Sequence, residues 1–315
     1  MAVSAPTRET STTPGRRWNA GWSWTTSFFL LPAVLLLAVF LIYPAVYTIV
    51  LSLFEGRRGQ FGGFLGLDNF INLFTADPRF LNLGTFPPSG ALFNNVLWVI
   101  FYTALCVFGG LIIATLASRV RYEATIKAIV FLPMAIAATA LGVIWRFMYA
   151  PSDNIGFVNA LLGVANIDPV SWLGSPSTVN AALIAVGVWG SVGFATVILS
   201  AALKGIPTEI LEAARTDGAR ESQIFWRIIL PMVSLPISVV AVTLVVNVIK
   251  LFDLIYVMTG GGPSNSSRVI AFTMYQESLP NGRYGYGAAV AVVMLLLLLP
   301  VMIFNIRRFR SEAVI

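Results

Sequence analysis

The sequence predicts an all-α membrane protein with six transmembrane helices. Of its 315 residues, 57% are hydrophobic and only 11% are charged, and the mean hydropathy is +0.82. A soluble globular domain usually has about 25% charged residues, so this composition indicates an integral membrane protein. The apolar residues form long runs, and about 20 consecutive apolar residues are enough for a helix to cross a bilayer.

The predicted spans cover residues 25–54, 92–118, 128–148, 178–203, 236–258 and 286–306. The polar residues 1–24 predict a disordered tail, and residues 311–315 form a second short tail. A basic tail before an apolar run is also typical of a signal peptide, but the first run is too long for one and has no clear cleavage site. We therefore expect one transmembrane domain over residues 25–310.

The basic residues predict that both termini are cytoplasmic. In that orientation thirteen Lys and Arg side chains fall in inside segments, whereas five fall outside, namely Arg57, Arg58, Arg79, Arg268 and Arg283. Loops with an excess of Lys and Arg remain on the cytoplasmic side. Because the basic residues flank the apolar runs, the sequence pI of about 9.7 reflects membrane topology and does not indicate nucleic-acid binding.

The residue inventory argues against an enzyme. The chain has no histidine, which removes the commonest metal ligand and the commonest general base. Its single cysteine, Cys106, lies in an apolar run and can form no intrachain disulfide. No G-x-x-x-x-G-K-[ST] pattern is present, so ATP hydrolysis, if the protein depends on it, requires another chain.

A polar segment at 205–236 interrupts the apolar pattern and predicts two short helices joined by a tight turn. Pro207 is suited to a first helical turn, where its missing N–H has no partner to lose. Asp217 and Gly218 form a turn pair, since glycine tolerates a positive φ. A second helix is expected from about 219 to 230, where Pro231 stops or kinks it.

The segment Glu212-Ala213-Ala214, followed by Asp217-Gly218, resembles the EAA loop of permease subunits of binding-protein-dependent ABC importers. The resemblance implies the type I ABC importer permease fold, in which this loop is a cytoplasmic coupling helix that fits a cleft on an ATPase subunit. It assigns coupling to Glu212, Ala213, Ala214, Asp217 and Gly218. The alternative is a solvated amphipathic hairpin.

A second segment, Phe252-Asp253 with Tyr256, Thr259 and 260–263, resembles the signature of the GGP-bearing half of maltose-type sugar permeases. A phosphate-binding loop is the other reading of the three glycines, but no Gly-Lys-Ser/Thr sequence follows.

The candidate solute path gathers polar and aromatic residues inside predicted spans. Lys250 and Asp253 are three residues apart, so on a continuous helix they share a face and pair, with Asn247 one turn earlier. Charged side chains in a span usually face the bundle interior, although they also snorkel to the interface. We add Trp189 and Tyr256, because sugars bind aromatic faces.

Three glycines lie beside this candidate path in the fourth predicted span. Gly187, Gly190 and Gly193 allow close helix packing there, or contribute to the path.

The resemblance implies the permease subunit of an ATP-driven importer for a sugar of maltose, α-glucoside or oligosaccharide type, with glycerol-3-phosphate as an alternative substrate. It also implies a prokaryotic cell membrane, a second permease subunit, two ATPase subunits that hold ATP–Mg, and an extracytoplasmic binding protein. The chain itself is expected to bind no cofactor or metal. An ion-coupled secondary transporter that uses Lys250 and Asp253 is the alternative, but the sequence shows no inverted repeats.

Overall fold

The computed structural model describes residues 24–57, 60–152 and 155–312, so nearly all of the predicted tail 1–24 lies outside the described residues, as do Arg58 and residues 313–315. Two compact units divide the chain, residues 1–47 and residues 48–315. The described part contains no β-strand. Its helices are α1 (Ser27–Leu51), α2 (Asp68–Thr75), α3 (Ala91–Ala117), α4 (Glu123–Ala135), α5 (Ala138–Met148), α6 (Phe157–Val164), α7 (Val179–Lys204), α8 (Thr208–Thr216), α9 (Glu221–Met232), α10 (Ser234–Ile249), α11 (Asp253–Met258), α12 (Ile270–Ser278) and α13 (Tyr284–Glu312).

Four of these helices, α1, α3, α7 and α13, are each long and apolar enough to cross a membrane. Two further candidates are bent pairs: α4 and α5 meet at 98°, and α9 and α10 meet at 65°. The described chain therefore has between four and six candidate spans, and it reaches six only when each bent pair counts as one.

The segment predicted as a continuous third span is broken. Helix α4 ends in a 3-10 turn that contains Pro133, and Ile136 and Ala137 are extended, with ψ of 129° and 140°. Proline has no N–H to continue a helical ladder, so the break follows directly from the sequence. Because the residues on both sides of the break are apolar, hydropathy alone predicts one continuous span.

The segment predicted as the fifth span is broken as well, and this corrects the predicted ion pair. Helix α10 ends at Ile249, the chain unwinds at Lys250, and Asp253 begins α11. Lys250 and Asp253 therefore do not share a helix face, and neither forms an ion pair in the described part of the chain. Asp253 lies in the first turn of α11, where a negative charge is favourable.

Buried asparagines at the start of α3 hold the irregular segments of the fold. Asn95 donates to the Val248 carbonyl (3.1 Å) and accepts from the Ile270 N–H (2.8 Å). Asn94 donates to the carbonyls of Ser266 and Arg268, each at 2.8 Å. A buried backbone group without a partner costs about 1–3 kcal/mol, so these two amides stabilise both the break after α10 and the loop before α12.

The main core lies between α3, α5, α7 and α10. Cys106, Leu183, Leu199 and Leu244 are buried there. The cysteine therefore acts as a small apolar side chain within the packed interior.

Asn159 of α6 organises the loop between α5 and α7. Its side chain is fully buried and takes part in five hydrogen bonds. Its amide donates to the carbonyls of Ala150, Pro151 and Val170, and its oxygen accepts from the Val170 N–H and the Trp172 indole, at distances of 2.9–3.3 Å. One side chain thus fixes both ends of this loop.

We expect Asn159→Leu to destabilise the purified protein by about 2–4 kcal/mol, because it leaves several buried polar groups without partners. Thermal unfolding followed by size-exclusion chromatography measures the effect. Asn72→Leu, at an exposed position of α2, is the control. An equal melting temperature for the two variants would contradict the assigned role of Asn159.

Candidate functional site

Helices α8 and α9 form a hairpin that projects from the helical body, and its turn depends on Gly218. The Gly218 N–H donates to the Arg215 carbonyl and the Ala219 N–H donates to the Ala214 carbonyl, both at 3.0 Å. This is the pattern of a helix that ends on a residue in the left-handed region, and Gly218 has φ +80°. The predicted turn is therefore present, for the predicted reason.

The second helix of the hairpin is fixed by short-range polar contacts. Gln223 accepts from the Arg220 N–H (2.8 Å), which caps the start of α9. Arg215 pairs with Glu221 across the turn at 2.8 Å. Both charged groups are about half exposed, so solvent screens the pair and it contributes little to stability.

One face of the hairpin packs against the helical body, and the other face is exposed to solvent. Ile206, Ile224 and Val233 are buried at its base. The predicted coupling residues are on the other side: Glu212, Ala213, Asp217 and Gly218 are exposed, and Ala214 is half-buried. A side chain added at Gly218 would meet no atom within 4 Å, so the surface at the turn is free for a neighbouring molecule.

A cavity of about 240 Å³ lies where the two helix breaks approach each other. Its walls come from Trp98 and Tyr102 of α3, Ile136 at the first break, Gly187 of α7, and Asn247 before the second break. Helix α3 widens into a π-helical turn over Trp98–Tyr102, and such turns occur frequently at functional sites. The Trp98 indole N–H is buried and has no hydrogen-bond partner among the described residues.

The structure brings only some of the predicted path residues together. Asn247 lines the cavity, and Trp189 packs edge-on against Trp145, with ring centres 5.6 Å apart. Tyr256 belongs to an aromatic cluster with Phe252 and Tyr275. All five candidates, Trp189, Asn247, Lys250, Asp253 and Tyr256, have exposed side chains in this chain.

The glycines of α7 divide between the two predicted roles. A Cβ at Gly193 would lie 2.4 Å from the Val130 carbonyl oxygen, so this glycine allows close packing of α7 against α4. A Cβ at Gly187 would lie 2.9 Å from the Trp98 ring, and both Gly187 and Gly190 line the cavity. Close helix packing therefore explains Gly193, whereas Gly187 and Gly190 border the candidate path.

Sequence reasoning missed an ionic cluster on the side of the molecule opposite the hairpin. Glu277 is fully buried and is approached by three arginines: Arg283 at 3.1 Å, Arg79 at 3.4 Å and Arg268 at 3.5 Å. Three of the five basic residues that the topology argument placed outside are thus engaged by one carboxylate. No local pattern could predict this, because the members are up to 204 residues apart.

Asp77 completes the ionic cluster. It pairs with Arg79 at 3.0 Å and accepts from the Tyr286 hydroxyl at 3.0 Å. Burial raises the pKa of the Asp77 carboxyl, but the hydrogen bonds and charge of Arg79 outweigh burial, and the net pKa lies below the ordinary value. Asp77 therefore stabilises the fold above the ordinary carboxyl pKa, and this contribution is lost as the pH falls through the lowered value.

Comparison with known proteins is consistent with this geometry. Residues 81–306 match the family described as binding-protein-dependent transport system inner membrane component. The chain is 44% identical over 288 residues to the osmoprotective compounds uptake permease protein GgtC of Synechocystis sp., covering 90% of this chain and 98% of the relative. It is 41% identical over 290 residues to the alpha-glucoside transport system permease protein AglF of Rhizobium meliloti, covering 90% and 82%.

A more distant relative and a solved structure extend the comparison. The trehalose/maltose transport system permease protein MalF of Thermococcus litoralis is 31% identical over 292 residues, covering 90% of this chain and 93% of the relative. A chain of a bacterial ABC transporter that imports the acidic polysaccharide alginate superposes with a TM-score of 0.74 at 23% identity, covering 91% of this chain and 96% of that chain. This last likeness shows a shared fold.

We expect Glu277→Gln to destabilise the protein by about 3–5 kcal/mol, because it leaves the buried charge of Arg268 without its counter-ion. Glu55→Gln is the matched control, since the Glu55–Arg57 pair is equally short (2.9 Å) but exposed. It should cost less than about 1 kcal/mol. Thermal melting of the two purified variants measures the difference, and a Glu277 variant as stable as the Glu55 variant would contradict the cluster's role.

Proposed function

The chain belongs to the family of binding-protein-dependent ABC importer permeases, and from that premise we propose that it conducts a sugar from an external binding protein into the cytoplasm. The sugar is of maltose, α-glucoside or other oligosaccharide type. The similarity to AglF and MalF supports this substrate class, since one belongs to an alpha-glucoside system and the other to a trehalose/maltose system. Glycerol-3-phosphate is the alternative substrate.

The proposal includes six spans, in which the bent pair α4–α5 forms the third and α10 with α11 forms the fifth, with both termini in the cytoplasm of a prokaryotic cell. The basic residues support this orientation, because Arg119, Lys127 and Lys204 lie on the side that carries the hairpin. A second permease subunit supplies the other half of the pathway, and two ATPase subunits hold ATP–Mg.

The observation that carries the proposal is the hairpin of α8 and α9. It presents Glu212, Asp217 and the side-chain-free surface at Gly218 on its open face, while its base is continuous with α7 and, through the 65° bend at Val233, with α10. An ATPase subunit that binds this hairpin would move both α7 and α10. These helices carry Gly187 and Asn247, which both line the cavity.

The solute path is proposed to pass the cavity and the exposed residues of α7, α10 and α11. Broken helices offer unpaired backbone groups and polar side chains within the membrane, where transporters commonly bind their solutes. Here the Asn247 amide supplies hydrogen bonds, and the Trp189 and Tyr256 rings supply faces for a sugar. Lys250 and Asp253 form no ion pair among the described residues at the second break, and they hydrogen-bond passing hydroxyl groups.

We expect Gly218→Trp to uncouple ATP hydrolysis from uptake, because the large ring would block the docking of the ATPase subunit. Proteoliposomes that contain the complete importer measure both rates. Gly218→Asn is the matched variant, since asparagine tolerates the left-handed region and keeps the turn. Docking at this surface predicts strong uncoupling for Trp and weaker uncoupling for Asn, whereas normal uptake by the Trp variant would refute the coupling assignment.

We expect Asn247→Ala to raise the KM for sugar uptake up to about tenfold, because one hydrogen bond to the solute is worth about 0.5–1.5 kcal/mol. ATP hydrolysis without solute should stay unchanged. Ser238→Ala on the same helix is the control, since the Ser238 hydroxyl donates to the Leu235 carbonyl within α10 (2.7 Å). An unaltered KM in the Asn247 variant would remove this residue from the path.

A further inference from the structure

Glu123, the first residue of α4, joins two helices at the hairpin end of the molecule. Lys204, the last residue of α7, reaches its Oε2 at 2.9 Å, while Lys127 of α4 binds Oε1. The Ser200 hydroxyl also approaches Oε1, at 3.4 Å. The Glu123 side chain is 21% exposed, so this carboxylate is more shielded from water than the carboxylate of Glu221 in the hairpin, whereas its partner Lys204 is 59% exposed.

Lys204 occupies a special place in the chain, because the hairpin begins immediately after it. The contact with Glu123 therefore connects the base of the hairpin to α4, which is distant in sequence. Among the described residues, the other ion pair between the two regions is Arg119 with Glu221, which is 3.9 Å long and exposed on both sides. The Lys204–Glu123 pair is shorter, at 2.9 Å, and its carboxylate is less exposed, so it is the principal ionic link.

A second contact between α4 and α7 lies farther from the hairpin. At Gly193 the backbone of α7 approaches Val130 and Phe131 of α4 so closely that a Cβ would collide with them. Gly193 and Lys204 are eleven residues apart on one helix, a distance of about 16 Å. Two rigid helices that touch at two such points are constrained to move together, because neither can pivot about a single contact.

The far end of α4 leads directly to the cavity. Pro133 and Met134 in its last turn and Ile136 at the following break all line the cavity wall. A displacement at the hairpin base can therefore reach the cavity by a route that does not pass through α10. This route consists of Lys204, Glu123 and the length of α4.

We propose that Glu123 is a positioning residue that, through its contact with Lys204, makes the broken helix pair α4–α5 move with the hairpin during transport. This inference rests on the proposed coupling role of the hairpin. The contact between Glu123 and Lys127 lies within α4 and does not serve this purpose. Both lysines thus bind the Glu123 carboxylate, but only Lys204 connects α4 to the hairpin.

The test compares Lys204→Met with Lys127→Met in the complete importer, reconstituted with its binding protein in proteoliposomes. Each variant removes one positive charge next to Glu123 and keeps an unbranched side chain. The quantity measured is the number of ATP molecules hydrolysed per solute imported, with assembly checked by co-purification of the ATPase subunits. We expect Lys204→Met to raise this number about fivefold or more and Lys127→Met to leave it near the unaltered value.

A charge exchange separates the ionic link from a merely structural effect. The double variant Glu123→Lys with Lys204→Glu retains opposite charges on the two helices, and we expect it to recover most of the coupling that Lys204→Met loses. Equal effects of the two lysine variants, or no recovery in the exchanged pair, would overturn the proposal.

Gly218→Trp, measured in the same preparation, distinguishes failure of this inference from failure of the proposed function. If Gly218→Trp uncouples and Lys204→Met does not, the ionic link is wrong and the coupling hairpin stands. If Gly218→Trp leaves transport coupled, the hairpin is not the coupling element and the link has no role in coupling.

Discussion

A bilayer offers no water to backbone N–H and carbonyl groups, yet this chain breaks two helices within segments apolar enough to span it. The rest of the structure depends on how those freed groups are satisfied. Asn95 bridges the break after α10 to the start of α12, Asn94 holds the neighbouring loop, and Asn159 closes the loop that follows α5. Amide side chains serve this purpose well because each can donate and accept at once. At the break after α10, the Asn95 amide pairs a backbone carbonyl that would otherwise be buried without a partner.

Charged residues are arranged differently at the two ends of the molecule. On one side, the buried Glu277 pairs with the buried Arg268 and the half-exposed Arg79 and Arg283, and this cluster joins the loop after α2 to α12 and α13. On the other side, charged residues lie mostly exposed on a hairpin that contacts the body at its base. The first arrangement resists rearrangement, because separating a buried charge from its partners is costly. The exposed hairpin presents a surface that a partner can bind, and Glu123 links the base of the hairpin to the broken helices.

Composition and motifs were sufficient to predict an all-α membrane protein and the importer permease family, and the family match confirms that family. The turn at Gly218 was also predictable, because a tight turn after a helix requires a residue that tolerates positive φ. The breaks were not recognised. Pro133 was a usable signal for the first, but the second falls at Ile249–Phe252, where neither glycine nor proline marks it. The predicted ion pair between Lys250 and Asp253 was wrong for that reason, because the prediction assumed a continuous helix. Glu277 and Glu123 were beyond prediction, because their partners are remote in sequence.

The central claim is that the hairpin around Gly218 meets an ATP-hydrolysing subunit on the cytoplasmic side and passes its motion to α7 and α10. Cysteine labelling at position 217 tests this most directly, since Cys106 is fully buried and gives little background. With Asp217→Cys in the assembled importer, the account predicts a cross-link to the ATPase subunit and no reaction with an impermeant thiol reagent added outside intact cells. Labelling from outside, or no cross-link to that subunit in any nucleotide state, would contradict it.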